Sequence, residues 1–144
     1  MEHSHERKLT EKEKEFANTL IKIGTERNVA IVLAFFTTIS EATSLTIEQV
    51  TDLSQPKVSI VLNQLKRKGW IRSKTVSPNR GRPSKMYELA KPLDIILEII
   101  EKDSKMRIYK KIATIQRIRD RLSEERKSHD HKISGFVENL SSPK

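Results

Sequence analysis

Two short amphipathic segments, a few residues apart and with a proline just past the gap, constrain this chain more than any other feature. They read SLTIEQVTDLSQPKVSIVLNQLKRKGW, Ser44 to Trp70. In the first, Thr46 and Gln49 fit a capping box, and Ile47, Val50 and Leu53 fall on one helical face. Pro56 has no backbone N–H and is tolerated only in the first turn of a helix. A second helix must therefore open beside it, capped by Ser54 or Gln55. In that helix Val58, Leu62 and Leu65 form an inward stripe with Val61 flanking it, and Gly69 supplies the stop. The opposite face carries Gln55, Lys57, Ser59, Ile60, Asn63 and Lys66. Two short helices joined by about three or four residues, the second polar and basic outside, have helix-turn-helix geometry.

What flanks the pair narrows the architecture further. Upstream, TEKEKEFANTLIKIG places Phe16, Leu20 and Ile23 at helical spacing, with a Thr10/Glu13 capping box and Gly24 as the stop. Asn28 can cap NVAIVLAFFTTIS, whose apolar residues surround the helix axis and imply the centre of the core. Downstream, WIRSKTV alternates imperfectly, as a short basic strand would, and MYEL reads as the returning strand, with Met86 or Tyr87 paired to Leu89 or its neighbour. Ser77 to Lys85 is then the tip of a β-hairpin beside the two helices. After Pro92, LDIILEIIEKD is helical again through Leu93, Ile96, Leu97 and Ile100. Further on, Ile108, Ile112, Ile115 and Leu122 follow a heptad-like spacing, with Arg119 where the heptad would place an apolar residue. A helix from about Ser104 to Lys127 would be on the order of 36 Å long. Its apolar seam calls for a cover, either a second copy of the chain or the first helix of the same chain.

Charge says what the hairpin and second helix meet. Between Ser54 and Lys91 there are ten basic residues and one acid, Glu88, whereas the rest of the chain carries eighteen of each sign. The whole net charge of +9 thus sits on one segment, the footprint of a polyanion partner. Cysteine is absent, which removes disulfides, thiolate metal sites and cysteine nucleophiles. His3 with His5, and His129 with His131, stand two residues apart, which puts each pair on different faces of a helix; no metal site is assigned. No phosphate-binding glycine loop, HExxH or nucleophile-and-base arrangement is visible, so the expectation is a non-enzyme with no cofactor. No apolar run is long enough to span a membrane and no signal-peptide core opens the chain, so the expected location is cytoplasmic, with the nucleoid.

LTIEQVTDLSQPKVSIVLNQLKRKGWI followed by GRPSKMYEL resembles the winged helix-turn-helix transcription regulators, in particular their MarR, ArsR and TrmB-like groups. The resemblance covers roughly residues 28 to 100. It implies a mainly α fold with a small β-hairpin wing, a DNA-binding domain over 10–91 and a helical dimerisation region over 92–128. Residues 1–9 and 129–144 would be flexible or loosely packed termini. It also implies that the helix opening at Gln55 is the recognition helix, with Gln55, Pro56, Lys57, Ser59, Ile60 and Asn63 facing the major groove of double-stranded DNA. Chemistry agrees: Gln and Asn bond bidentately to adenine, Lys bonds guanine, and Ile60 or Pro56 can touch a thymine methyl. Lys66 and Lys68 suit phosphates, which position without specifying. The tip RGRP resembles the AT-hook, a minor-groove motif, although Asn79 stands where that motif has Pro. Arg80 and Arg82 are then minor-groove or flanking phosphate contacts, with Gly81 permitting close approach, and Arg72, Lys74 and Lys85 completing the wing. Ile108, Ile112, Ile115 and Leu122 would pair two copies over a pseudo-palindromic site with A·T-rich flanks.

The leading expectation is a homodimeric, sequence-specific repressor. The alternatives are a nucleoid or chromatin-like protein coating DNA with weak sequence preference, and a winged-helix module whose basic patch meets an acidic protein. ArsR-like proteins that sense metals use cysteines, which this chain lacks. MarR-like proteins often take a small aromatic effector, and no residue constellation here marks such a pocket.

Overall fold

The computed structural model describes residues 7–77 and 82–141, with side chains through Lys132. The elements in order are α1 (Glu11–Lys22), α2 (Arg27–Phe35), β1 (Glu41–Ala42), α3 (Ser44–Thr51), α4 (Gln55–Arg67), β2 (Ile71–Val76), β3 (Ser84–Leu89) and α5 (Leu93–Ser141). The strands form one antiparallel sheet in the order β1-β3-β2. The chain divides into two compact units, Met1–Lys102 and Asp103–Lys144.

In the first unit, α2 is the hub and packs against α1, α3 and α4. Val29 through Phe36 are all buried, as expected of a helix apolar all round. Phe35 and Phe36 meet edge to face at 5.1 Å. Each large side chain buried here contributes roughly 1.5–3 kcal/mol. Ile96 and Ile100 of α5 join the same core.

Two caps differ from the sequence expectation. α2 is capped by Glu26, whose carboxylate accepts from Val29 N at 3.1 Å, not by Asn28, which falls inside the helix. Starting there brings Val29 and Ala30 into the buried face. α3 is capped by Thr43, whose hydroxyl accepts from Thr46 N at 3.2 Å, so the Thr46/Gln49 box is interior. In α1 the Thr10/Glu13 box is present and Gly24 ends the helix with φ of +104°. Its buried face is Glu13, Ala17 and Leu20, while Phe16 is half-buried and Ile23, at the end of the helix, is exposed.

Glu13 also anchors the N-terminal segment. Arg7 reaches both its oxygens, at 2.7 and 3.2 Å, and donates to the Thr38 hydroxyl at 2.8 Å, while that hydroxyl donates to Glu13. Lys8 donates to the Gln49 carbonyl at 2.8 Å and pairs with Asp52 at 2.9 Å. Of the loosely packed segment expected over 1–9, residues 7–9 are instead fastened down, Leu9 against the core. Burial pushes the Glu13 carboxyl up, yet the Thr38 hydroxyl, the Thr10 N–H and Arg7 outweigh it and hold it below the usual carboxylate range. A depressed folded pKa stabilises the fold above the unfolded value and loses that contribution as pH falls through the folded one. The expected result is a loss of thermal stability on acidification below about pH 4.5, weaker in a Glu13→Gln variant that at pH 7 is itself about 1–3 kcal/mol less stable. Thermal melts of both proteins from pH 3 to 7 check it.

α5 is one uninterrupted helix of 49 residues, longer than the Ser104–Lys127 stretch expected. No proline or glycine interrupts it before Gly135, so nothing stops it earlier, and the helical backbone continues through His129 and His131 to Ser141. In the second unit Ile108, Ile112, Ile115 and Leu122 are 45–55% exposed in the single chain, with Ile118 beside them at 56%.

Candidate nucleic-acid interface

The turn between α3 and α4 is three residues, Asp52 to Ser54. Asp52 takes the left-handed conformation, φ 64°, the sole non-glycine among the described residues to do so. Aspartate tolerates this region better than most side chains. The turn aims α4 so that Val58, Val61, Leu62 and Leu65 are buried. Gln55, Pro56, Lys57, Ser59, Ile60, Asn63 and Lys66 are left exposed on the other side, as expected. Ile60 is 58% exposed, an aliphatic side chain amid polar ones. Ser54 stands at the N-cap, with Pro56 in the first turn, and its side chain makes no capping bond.

Past α4 the chain reverses through Gly69, at φ +76°. Gly69 N bonds the Lys66 carbonyl and Trp70 N the Leu65 carbonyl, a Schellman closure. Lys66 donates to Ser73 Oγ at 3.2 Å, tying the end of α4 to β2, and Lys68 Nζ sits 4.8 Å from the Trp70 ring centre.

In the hairpin, Ile71 pairs with Leu89 and Val76 with Ser84. Alternation turns Ile71, Tyr87 and Ala42 toward the core and Arg72, Lys74, Met86 and Glu88 outward. β1, which sequence reasoning missed, sets Glu41 opposite Glu88. Two carboxylates facing each other across strands would repel. Cations fill the gap: Arg72 Nε meets Glu88 Oε2 at 2.8 Å, and Lys74 Nζ meets Glu41 at 3.0 Å and Glu88 at 3.7 Å. The Arg72 bond, with both cations nearby, holds Glu88 below the usual carboxylate range, and Glu41, then Glu88, raise Lys74.

Arg72 and Lys74, expected as wing contacts, are therefore held in internal ion pairs, while Arg82 and Lys85 are exposed and join no ion pair among the described residues. Arg80 and Gly81 lie outside the described residues. Glu88 was visible as the one acid in the basic segment; its partners were not, because they depend on hairpin register and on Glu41 from a distant strand.

A cleft of about 420 Å³ has Phe35, Ile39, Val50 and Met86 among its lining, with Arg7 and Glu41 at its edge. Both charged groups are bonded within the protein, to Glu13 and to Lys74. Among the described residues no cluster of three or more His, Cys, Asp or Glu could hold a metal, and no helix is long and apolar enough to cross a membrane.

No protein-family model matches the sequence, and neither does any curated protein. Solved structures do match. One is TrmBL2, described as an archaeal chromatin protein with a novel mode of DNA binding. It is 15% identical with a TM-score of 0.51, over 92% of this chain and 47% of that one. The chain thus spans about half the length of that protein. A possible transcriptional regulator from Methanosarcina mazei Go1 is 14% identical over 66% of this chain and 84% of its own, TM-score 0.49. A MarR family transcription regulator, SP03579, is 17% identical over 90% and 83%, TM-score 0.45. The fold is a winged helix-turn-helix, mainly α, with a three-strand sheet forming the wing and a long C-terminal helix.

Proposed function

We propose that this protein is a homodimeric, sequence-specific regulator of transcription that binds double-stranded DNA, inserting α4 in the major groove and lodging the wing in or beside the minor groove. The observation that carries the reading is the outward face of α4. It offers two amides, Gln55 and Asn63, a lysine and an exposed isoleucine, all turned away from a fully apolar inner face. Those groups match the edges of adenine, guanine and thymine. On the wing, Arg82 and Lys85 extend the cationic surface, and the RGRP tip suits a narrow A·T-rich minor groove. Ile108, Ile112, Ile115 and Leu122 pair two copies, which then read half-sites about one helical turn, or a low multiple, apart. A small dimer of this kind represses simply by occupying a promoter.

Selection of bound duplexes from a random pool tests the proposal. A recovered motif with two-fold symmetry supports it; a pool enriched only in A·T content favours the coating reading. That second reading draws on the likeness to a protein described as archaeal chromatin. Failure to retain any duplex at low salt removes both.

The ion-paired acids set a test of their own. A Glu88→Gln variant frees Arg72 and leaves Lys74 only Glu41. It is expected to bind any duplex more tightly, with a salt dependence steeper by about 0.9 for each cation that then reaches a phosphate. Anisotropy titrations over a salt series check it.

A further inference from the structure

Charge outside Ser54–Lys91 sums to zero, but it is not evenly spread. From Ser104 to Arg121 seven cations stand against one acid, Asp120. In α5 the positions Arg107, Lys110, Thr114, Arg117 and Arg121 recur at three- and four-residue steps, so they share one face of the helix. That face lies about 140° around the axis from the Ile108/Ile112/Ile115/Leu122 seam. In heptad terms its residues occupy two of the three positions, c and f, that point away from a paired helix, and they stay exposed when the seam is covered.

All four cations are exposed, and among the described residues no ion pair joins any of them to a carboxylate. Two of them donate to neutral hydroxyls one turn back, Arg107 to Ser104 at 3.3 Å and Arg117 to Thr114 at 3.3 Å. Like charges three and four residues apart weaken a free helix. A merely solvated face mixes its signs, as this helix does further on through Glu124, Glu125, Arg126, Lys127, Asp130 and Lys132.

We propose that this stripe is a second DNA-contacting surface, binding duplex phosphates without regard to sequence, in addition to the contacts of α4 and the wing. The inference rests on the DNA-binding reading above. Four cations along about 21 Å of helix suit a row of phosphates, which occur about every 3.4 Å along each strand. A protein partner fits less well, because two exposed apolar side chains, Met106 and Ile118, flank the stripe and make no extended apolar core for an interface. A lipid surface is disfavoured likewise, since the Ile108/Ile112/Ile115/Leu122 seam faces about 140° away from the stripe.

The test uses the full chain with Arg107→Gln, Lys110→Gln, Arg117→Gln and Arg121→Gln combined. The control carries Arg126→Gln, Lys127→Gln and Lys132→Gln, and the probe is a 40-base-pair duplex of shuffled sequence. Circular dichroism and sedimentation verify that helix content and oligomeric state match the parent protein. Expected for the stripe variant is a salt slope shallower by about 0.9 for each phosphate it no longer neutralises, about two to four per chain, with lower affinity for every duplex. Its preference among sequences stays unchanged. A slope equal to the parent's, or an equal change in the control variant, overturns the inference. If the parent protein itself binds no duplex, it is the DNA-binding reading that fails.

Discussion

An Ile112→Asp, Ile115→Asp variant is expected to be monomeric and to bind a two-half-site duplex about 10²–10⁴-fold more weakly than the parent protein. Both side chains are about half exposed in the single chain, in a seam with Ile108 and Leu122. Pairing two copies removes that apolar surface from water, and two carboxylates per chain in the seam would have to be buried against their own kind. The loss at DNA follows because linked half-sites bind with a high effective concentration that separate monomers lack. The first unit should remain folded, since among the described residues the part of α5 in its core ends at Ile100, with Ile96 and Ile100 both buried. Sedimentation equilibrium reads the oligomeric state and anisotropy the affinity. A variant that stays dimeric would assign the seam another occupant.

The second large effect is expected at α4. Replacing Lys57 and Asn63 together with Ala should erase preference for the cognate site by roughly 10²-fold or more, since each good base contact is worth about 1–3 kcal/mol of discrimination. Both residues are exposed on the helix, so the fold should be unaffected. Lys68→Ala, beside the Trp70 ring, should instead weaken binding evenly across sequences. If the two variants lost affinity equally on every duplex, direct reading of bases by α4 would be wrong.

Local pattern made most of this legible. The stripe Val58, Leu62, Leu65 and the stop at Gly69 placed α4, and with it the whole outward face, because both signals act within a few residues. The apolar run from Val29 likewise foretold the hub of the core. What stayed hidden depended on contacts far apart in sequence. A two-residue strand such as β1 has no periodicity to read, yet it delivers Glu41 to Lys74. Arg7 and Lys8 looked like part of a polar tail because their partners, Glu13, Thr38 and Asp52, converge only in three dimensions. Caps were ambiguous for a simpler reason: Glu26 and Asn28, or Thr43 and Thr46, are both chemically able to cap, and packing of the following residues decides. Summed charge misled at α5, where a neutral total concealed a one-signed stripe.

The central claim is specific binding of duplex DNA, and anisotropy titration across a salt series tests it most directly. The duplexes are fragments surrounding the protein's own gene and a shuffled duplex of equal composition. A dimer neutralising about six to ten phosphates should lose roughly 10³–10⁵ in affinity between 50 and 200 mM salt on either. At physiological salt one of the genomic fragments should keep an advantage of about 10³ or more over the shuffled duplex. Equal affinity for all duplexes at every salt concentration would contradict sequence-specific regulation at its own promoter and leave a protein that coats DNA; no affinity at all would contradict DNA binding itself.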